Sequence, residues 1–301
     1  MYIATLQTKR GELRGLNLLN LQNTNSEFIP NLIIKESTQE ELDRILTAYE
    51  GNCLIDTRQL EFYEYDSLHQ ILANEPNYDH LNIVYPLDYA MIHDVIPTSY
   101  IRIFIPDLDD YSFTWLETNL IKLPQNIIID FGYISSTPSQ LNLFSVQKII
   151  TMLGNRNIVI LSGSIPKSVP ENSSTDYIQP RYEKELYQLL SRMVSIDLQY
   201  ADYCTIHPQI DNSGFGRAVV QIKYTLDTDY HFFRNGLFQG NYDVRSLYQD
   251  ISELPLFSSD LSWGDEYILE NSKKEIPGGS PEYWVSIAVN HHIQWCLEEN
   301  I

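Results

Sequence analysis

The chain has 301 residues, of which 43% are hydrophobic and 12% aromatic, so it is long enough to enclose one large core or two smaller ones. Its 40 acidic residues outnumber its 20 lysines and arginines, and the formal net charge of −20 opposes direct binding to nucleic acid or to an anionic membrane surface. No apolar run reaches the roughly 18 residues that a membrane-spanning helix needs.

The cysteines and the first residues indicate a cellular compartment. Cys53, Cys204 and Cys296 form no C-x-x-C pair and leave an odd count, which indicates reduced, mostly buried thiols. Residues 1–9 contain no basic stretch followed by an apolar core, so we expect no signal peptide. These features predict a cytoplasmic protein.

Short β-rich runs alternate with helical patterns along the first 207 residues. Asn126–Phe131 contains three consecutive isoleucines and suits a strand that is buried on both faces. Thr38, followed by Glu41 three residues later, is a helix-capping pattern. The eight predicted strands are Tyr2–Leu6, Phe28–Lys35, Cys53–Arg58, Leu81–Tyr85, Tyr100–Ile105, Asn126–Phe131, Asn157–Leu161 and Ala201–Ile206. The helices predicted between them are Glu12–Leu21, the helix that Thr38 caps, Asp66–Ala73, a short helix from Tyr89, Phe113–Leu123, Gln140–Leu153 and Arg181–Met193.

Eight strand–helix alternations predict parallel strands that are joined by helical crossovers. Eight is also the number at which a parallel barrel closes around a side-chain-filled interior, so we predict an α/β fold with a TIM-type (β/α)8 barrel over residues 1–207. A doubly wound open sheet is the alternative, but no G-x-G-x-x-G follows the first strand. The segment Gly163–Gln179 is rich in Ser, Pro and Asn and is predicted to be a mobile loop.

The pattern changes after the eighth strand. Ala218–Thr225 and Tyr230–Arg234 are separated by a short polar connection and predict a β-hairpin. Helices follow around Val244–Ile251 and Asp265–Asn271. We expect residues 208–301 to form a C-terminal extension that packs on the barrel within the same globular domain.

The last predicted helix carries the most concentrated group of site-type residues. Ser280 suits its N-cap and Pro281 its first position. His291 and His292 fall on neighbouring apolar faces, and Asn290 lies on a more polar flank. The histidines are either core residues bonded to backbone carbonyls or a general acid–base, since imidazole titrates near neutral pH. We predict no metal site, because adjacent histidines diverge on a helix and the H-E-x-x-H spacing is absent.

A second group of candidates follows the barrel strands, because sites gather at the carboxyl ends of the strands of such barrels. Asp130 follows the triple-isoleucine run, so it should be buried, and a buried carboxylate must be paired. The other strand ends carry Glu36, Asp56 with Arg58, Asp88, Arg102 with Asp107, Ser162 and His207, and Asp202 lies inside the eighth strand. Carboxylates that converge with Arg58 or Arg102 could bind a cation or a phosphate-like group. Each of them could instead cap a helix or lie in a solvated loop.

No complete catalytic motif accompanies these residues. Asp130-Phe131-Gly132 has no H-R-D loop with it, and Ser162-Gly163-Ser164 is not a G-x-S-x-G elbow. The chain contains no phosphate-binding Walker loop and no zinc-spaced cysteines. Trp263 and Asp265 either join the site from the C-terminal region or serve as a core anchor and a helix cap.

Short motifs over nearly the whole chain resemble those of one family. The weaker ones include Met1-Tyr2-Ile3, Ile129-Asp130-Phe131-Gly132, Ala201-Asp202-Tyr203, Lys223-Tyr224-Thr225 and Arg234-Asn235-Gly236. The most specific group is Trp263-Gly264-Asp265, Trp284 and Asn290-His291-His292. On these residues the chain resembles the beta-protein family of tailed phages and bacterial genomes. Ala201 stands where the family usually has Gly before Asp-Tyr, and Glu36 is offset from the family's second-strand carboxylate.

The resemblance implies a setting rather than an activity, because members resemble components of phage–host conflict loci, sometimes beside a nuclease-like partner. It implies a non-catalytic or cryptically catalytic barrel subunit of an anti-phage defence locus. Such a subunit would act through a protein partner, either the product of a neighbouring gene or a phage component. No motif assigns a cofactor.

The alternative is a hydrolase or phosphoryl-processing enzyme, in which the closing helix would bring its histidines to the carboxyl ends of the strands. The candidate catalytic residues are His291, His292, Asp130 and Arg58. The candidate substrate-binding residues are Asn290, Trp263, Asp265, Ser162, Asp202, Tyr224 and Arg234.

Overall fold

A computed structural model describes residues 1–21, 27–169, 176–209, 219–237 and 243–299. The chain divides into two compact units. The barrel unit comprises Met1–Thr8, Phe28–Ser164 and Tyr182–Tyr203, and the second unit comprises Lys9–Glu27, Ile165–Arg181 and Cys204–Ile301. Residues 9–27, 165–181 and 204–207 of the predicted barrel region thus group with the C-terminal residues. The expected packing of 208–301 on the barrel stays a prediction.

The regular elements of the described residues are numbered here in chain order. The strands are β1 Tyr2–Gln7, β2 Phe28–Ile33, β3 Cys53–Asp56, β4 Leu81–Pro86, β5 Tyr100–Phe104, β6 Asn126–Tyr133, β7 Asn157–Gly163, β8 Asp176–Pro180, β9 Leu198–Asp202, β10 Val219–Thr225 and β11 Asp229–Leu237. The α-helices are α1 Arg10–Asn17, α2 Gln39–Ala48, α3 Tyr65–Asn74, α4 Leu87–Ile92, α5 Asp110–Thr118, α6 Gln140–Leu153, α7 Tyr182–Met193, α8 Val244–Ser252, α9 Trp263–Ser272 and α10 Pro281–Glu299. No helix among them is both long and apolar enough to cross a membrane.

The barrel unit contains a closed sheet in the order β1 to β7 and then β9. All eight neighbouring pairs are parallel, and β9 closes the ring by pairing with both β7 and β1. Ile127, Ile128 and Ile129 are almost completely buried, as expected for a strand covered on both faces. The fold is the predicted α/β barrel of the TIM type.

Two local details of the barrel unit differ from the sequence prediction. Thr38 caps α2 by accepting from the Glu41 amide, but the Glu41 carboxylate accepts from the amides of Lys35 and Glu36 rather than completing the capping box. The last barrel strand ends at Asp202 rather than at residue 206. Cys204 has a φ of 50°, a left-handed conformation that does not continue a strand.

The second unit contains a three-stranded antiparallel sheet in the order β10-β11-β8. The hairpin predicted from residue 218 is present as β10 and β11, although Ala218 itself lies outside the described residues. The predicted mobile loop Gly163–Gln179 is wrong at its end, because β8 pairs there with β11. Residues 170–175 of that loop lie outside the described residues.

Helix α10 is the centre of the second unit, and small residues let two other helices approach it closely. A methyl group on Gly15 of α1 would lie 2.8 Å from the Ser286 carbonyl, and one on Gly264 of α9 would lie 2.7 Å from the Ile287 carbonyl. Glycine is therefore required for this close backbone approach. The predicted cap is present, since the Ser280 hydroxyl accepts from the amide of residue 283.

Candidate functional site

Asp130 organises the carboxyl-end cluster of the barrel unit. Its side chain is completely buried at the end of the isoleucine-rich β6. One carboxylate oxygen accepts from the Gly132 amide at 2.7 Å; the other accepts from Arg102 Nε at 2.6 Å and from the Tyr203 hydroxyl at 2.5 Å. Gly132 has a φ of 62°, a conformation that glycine adopts readily and that brings its amide back to the carboxylate. The burial and pairing of Asp130 thus match the expectation, whereas its catalytic role stays a prediction.

Arg58 and Asp56 form the second ion pair of this cluster. Two guanidinium nitrogens of Arg58 donate to the two Asp56 oxygens, and a third donates to the Tyr203 hydroxyl at 2.5 Å and lies 3.5 Å from Asp130. The Asn31 amide also donates to Asp56 at 3.1 Å. Burial alone would raise the pKa of Asp56, but the adjoining Arg58 charge and hydrogen bonds hold it below its usual range.

Tyr203 links the two ion pairs. Burial raises its pKa, an effect that the Arg58 charge opposes and the Asp130 charge reinforces, so the phenol stays protonated at neutral pH. The hydroxyl can therefore donate to Asp130 while it accepts from Arg58. The network fixes four charged side chains in one arrangement before any ligand arrives.

A cleft of about 360 Å³ opens next to this network, within the barrel unit. Arg102 is the charged group best placed to use it: its side chain is nine-tenths buried and lies over the Phe104 ring, with the guanidinium carbon 4.5 Å from the ring centre. Its Nε is bound to Asp130, but no described residue bonds its two terminal nitrogens, and neither is sealed from solvent. The cleft is lined by Arg58, Leu60, Glu61, Phe62, Tyr65, Pro86, Leu87, Asp88, Arg102, Phe104, Asp107, Leu108 and Ser112.

The histidines of α10 belong to a different cluster, within the second unit. His291 is completely buried, with Nδ1 2.9 Å from an Asp265 oxygen and Nε2 2.8 Å from the Thr225 carbonyl. Asp265 also accepts from the Tyr224 hydroxyl at 2.8 Å and from the Ser262 hydroxyl at 2.6 Å. Both groups that face the ring are acceptors, so each ring nitrogen has an acceptor within hydrogen-bond distance inside the second unit.

The adjacent residues of α10 are equally enclosed. Asn290 accepts from the Gly264 amide and donates to the Gly15 carbonyl, both at 3.0 Å, so it joins α10 to α9 and α1. His292 is fully buried, with Nδ1 2.9 Å from the Thr225 hydroxyl and its ring stacked on Tyr230. These contacts support a structural role for both residues, and the catalytic assignment of the histidines stays a prediction.

The remaining candidates are divided between the two units. In the barrel unit, Asp202 accepts from the hydroxyls of Tyr2 and Tyr200, and the buried Ser162 hydroxyl has no partner among the described residues. In the second unit, Trp263 packs on Tyr267 and lines a cleft of about 730 Å³. Arg234 lies on β11 opposite Gln221. None of these four shares the cleft of Arg102.

The candidate catalytic and substrate-binding residues do not include Tyr203, nor Asp56 and Arg102, which the sequence already places at strand ends. A sequence signal existed for Arg102, since a cation between Ile101 and Ile103 on a buried strand must have a partner. No comparable signal identifies Tyr203, because it meets Asp130 across 73 residues of chain.

Comparison with known proteins gives one match. The model of a family described as Beta protein matches residues 116–298, which is 183 of the 301 residues. The matched segment contains Asp130, Tyr203, Asp265 and His291, whereas Arg58 and Arg102 precede it. No curated protein and no solved structure matches the chain. Since the match spans more than half of its length, the chain belongs to the Beta protein family.

Proposed function

We propose that this protein is a recognition subunit whose ligand binds in the cleft at the carboxyl ends of the barrel strands. The observation that carries the proposal is Arg102, a nearly buried guanidinium that is fixed through Nε and leaves two terminal donors at the cleft. A donor pair that is already oriented loses little conformational entropy when an oxygen acceptor arrives. The group it binds is a carboxylate, a phosphoryl group or a carbonyl oxygen.

Binding is favoured over turnover by the state of the two carboxylates beside Arg102. Asp130 accepts three hydrogen bonds and Asp56 is paired with Arg58, so neither is free to remove a proton from a ligand. This supports the role that family membership suggested: a subunit that acts through a protein partner in a phage–host conflict locus, the partner being a neighbouring-gene product, nuclease-like, or a phage component.

One observation favours a second candidate, a barrel hydrolase or phosphoryl-processing enzyme. Arg58, Arg102 and Tyr203 converge on Asp130 at the end of the barrel where enzymes of this fold carry their sites. In such an enzyme Arg102 would orient the oxyanion through its terminal nitrogens, and Tyr203, whose proton is donated to Asp130, would hold that carboxylate in place.

The test is calorimetric titration of the wild type, Arg102→Gln and Lys148→Gln with three probes: inorganic phosphate, acetate and a neutral N-acetyl dipeptide amide. Lys148 is exposed on α6 and does not line the cleft, so its substitution matches the change in charge. We expect at least one probe to bind the wild type and Lys148→Gln and to bind Arg102→Gln at least tenfold more weakly. Equal binding to all three proteins would overturn the proposal.

The same proteins, assayed with p-nitrophenyl phosphate and bis(p-nitrophenyl) phosphate, separate the two candidates. Turnover that Arg102→Gln abolishes and Lys148→Gln retains would establish the enzyme. Binding without turnover would support the recognition subunit.

A further inference from the structure

We infer that the ligand of this cleft is a basic polypeptide segment, which docks on an acidic and aromatic surface around Arg102. The inference rests on the proposed function of the same cleft and adds the chemistry of the partner. The acidic–aromatic mouth is defined here by Glu61, Phe62, Asp88 and Asp107, which line the cleft with Arg102.

The side chains of the acidic–aromatic mouth carry an excess of negative charge. Arg58 and Arg102 are neutralised by Asp56 and Asp130, with which they form ion pairs. The three carboxylates at the opening, Glu61, Asp88 and Asp107, are all exposed, and no cation among the described residues is bonded to them. A cleft with an excess of one charge concentrates its field and attracts ligands of the opposite charge.

The chain around the acidic–aromatic mouth is also rich in acidic residues. From Gln59 to Ile121 there are eleven acidic residues, and the single Lys or Arg is Arg102, which is buried and paired. This stretch supplies β4, β5, α3, α4 and α5 of the barrel unit, with the connections after β3, β4 and β5. A positively charged partner therefore meets little competing positive charge on this side of the barrel unit.

The mouth also offers aromatic surface. Phe62 is 49% exposed, and its ring stacks on Tyr89, with the ring centres 6.1 Å apart. Tyr89 in turn stacks on Tyr65 and Tyr85 inside the barrel unit, at 4.1 and 4.9 Å, so the exposed ring rests on a fixed support. Tyr63, the next residue in the chain, is 79% exposed. Exposed ring faces bind lysine and arginine head groups through cation–π contacts and cover their aliphatic stems.

Arg102 selects a polypeptide among the possible cations. Its two terminal nitrogens can donate to an oxygen acceptor, which a peptide carbonyl provides in the same segment as the basic side chains. A polyamine carries the positive charge but no acceptor. Nucleic acid and free phosphate carry acceptors but are repelled by the three carboxylates. A basic segment satisfies Arg102, the carboxylates and the rings at once.

Fluorescence anisotropy with a labelled, amidated peptide of alternating arginine and leucine tests the inference at about 0.15 M salt, where general attraction to an acidic protein is screened. The decisive protein is the triple variant Glu61→Gln, Asp88→Asn and Asp107→Asn. The matched control is Glu50→Gln, Asp79→Asn and Asp197→Asn, three exposed acids that precede β3, β4 and β9 at the opposite end of the strands.

We expect the mouth triple to raise the dissociation constant at least tenfold, Arg102→Gln to weaken binding as well, and the control triple to change it less than twofold. Equal losses in the two triples, or no binding at this salt concentration, would overturn the inference. So would spermine displacing the peptide at equal concentration with no effect of Arg102→Gln, since that result describes a simple cation site.

The outcomes also separate this inference from the proposed function. If the neutral dipeptide probe binds through Arg102 while the mouth triple leaves the arginine–leucine peptide unaffected, the recognition site stands and the basic partner is wrong. If the binding of all three probes and of the arginine–leucine peptide is independent of Arg102, both are wrong.

Discussion

The cluster around Asp265 in the second unit and the cluster around Asp130 in the barrel unit contain similar chemistry and differ in what they leave open. Each has a buried carboxylate that accepts from a tyrosine hydroxyl and contacts a side-chain nitrogen of a histidine or an arginine. In the Asp265 cluster both ring nitrogens of His291 are bonded within the unit. In the Asp130 cluster, Arg102 keeps two donors for the cleft. A network whose hydrogen-bonding groups are all used stabilises the fold, whereas a network with free donors can also bind a ligand.

The largest expected effect comes from removing the carboxylate of the closed cluster. Asp265→Ala would remove the acceptor of the buried Tyr224 and Ser262 hydroxyls and the partner of buried His291 Nδ1. Each buried polar group left unsatisfied costs about 1–3 kcal/mol. Chemical denaturation measures the loss as a lower midpoint with an unchanged slope.

Glu266→Ala is the control, because Glu266 is the exposed acidic neighbour in the same first turn of α9. It should change the free energy of unfolding by no more than about 0.5 kcal/mol. Equal destabilisation by the two variants would show that the loss reflects the helix terminus rather than the pair with His291.

A smaller effect is expected for Arg102→Gln. Asp130 would keep the Gly132 amide and the Tyr203 hydroxyl as donors, with Arg58 3.5 Å away, so no buried charge is left isolated. We expect the free energy of unfolding to fall by about 1.5–3 kcal/mol, which is the range for one hydrogen bond to a charged group. A loss as large as that of Asp265→Ala would mean that the two clusters are both structural and that their difference in openness has no functional consequence.

The sequence predicts the barrel well and the site only in part, for reasons that particular residues make clear. The strand–helix alternation and the isoleucine run of β6 follow from local burial, so they are visible in the sequence. β8 was missed because Ile178, its apolar residue, is 54% exposed while Gln179 is buried, the reverse of the usual pattern. The contacts of Asp130 are harder to identify for another reason: Arg102 reaches it from the neighbouring strand β5 and Tyr203 from the end of β9, so they depend on the order of the strands in the sheet.

For the histidines of α10, the sequence predicts the position correctly but does not predict the role. Their positions on two apolar faces of α10 are correctly read from helical spacing, and that spacing is equally compatible with a catalytic base and with a core residue. What distinguishes the two is the environment: His291 meets Asp265 on α9 and the backbone of β10, two acceptors that no local pattern indicates.

The last prediction concerns the pH dependence of stability that Lys223 on β10 contributes. Lys223 is a largely buried basic residue in the second unit, and its hydrogen-bonded acceptor is a neutral carbonyl. Its Nζ donates to the Thr205 carbonyl at 2.6 Å. Burial lowers the pKa of Lys223 to about 8, against a smaller opposing effect from Glu12 and Cys204. In the unfolded chain a lysine titrates near about 10.4.

Between these two values the unfolded chain holds a proton that the folded chain has lost, so this lysine makes the protein more stable as the pH rises from about 8 to about 10.4. Burial raises the pKa of Cys53 to about 12, which acts in the opposite direction over part of this range, so only the difference from Lys223→Met isolates the lysine. The free energy of unfolding of the wild type should rise relative to that of Lys223→Met by at most about 1.4 kcal/mol per pH unit. The rise should stay below this limit because the Lys223 side chain keeps some exposed surface. A difference that stays flat from pH 8 to 10 would mean that Lys223 remains protonated in the folded state, and that the Thr205 carbonyl compensates for its burial as fully as a carboxylate does for Arg102.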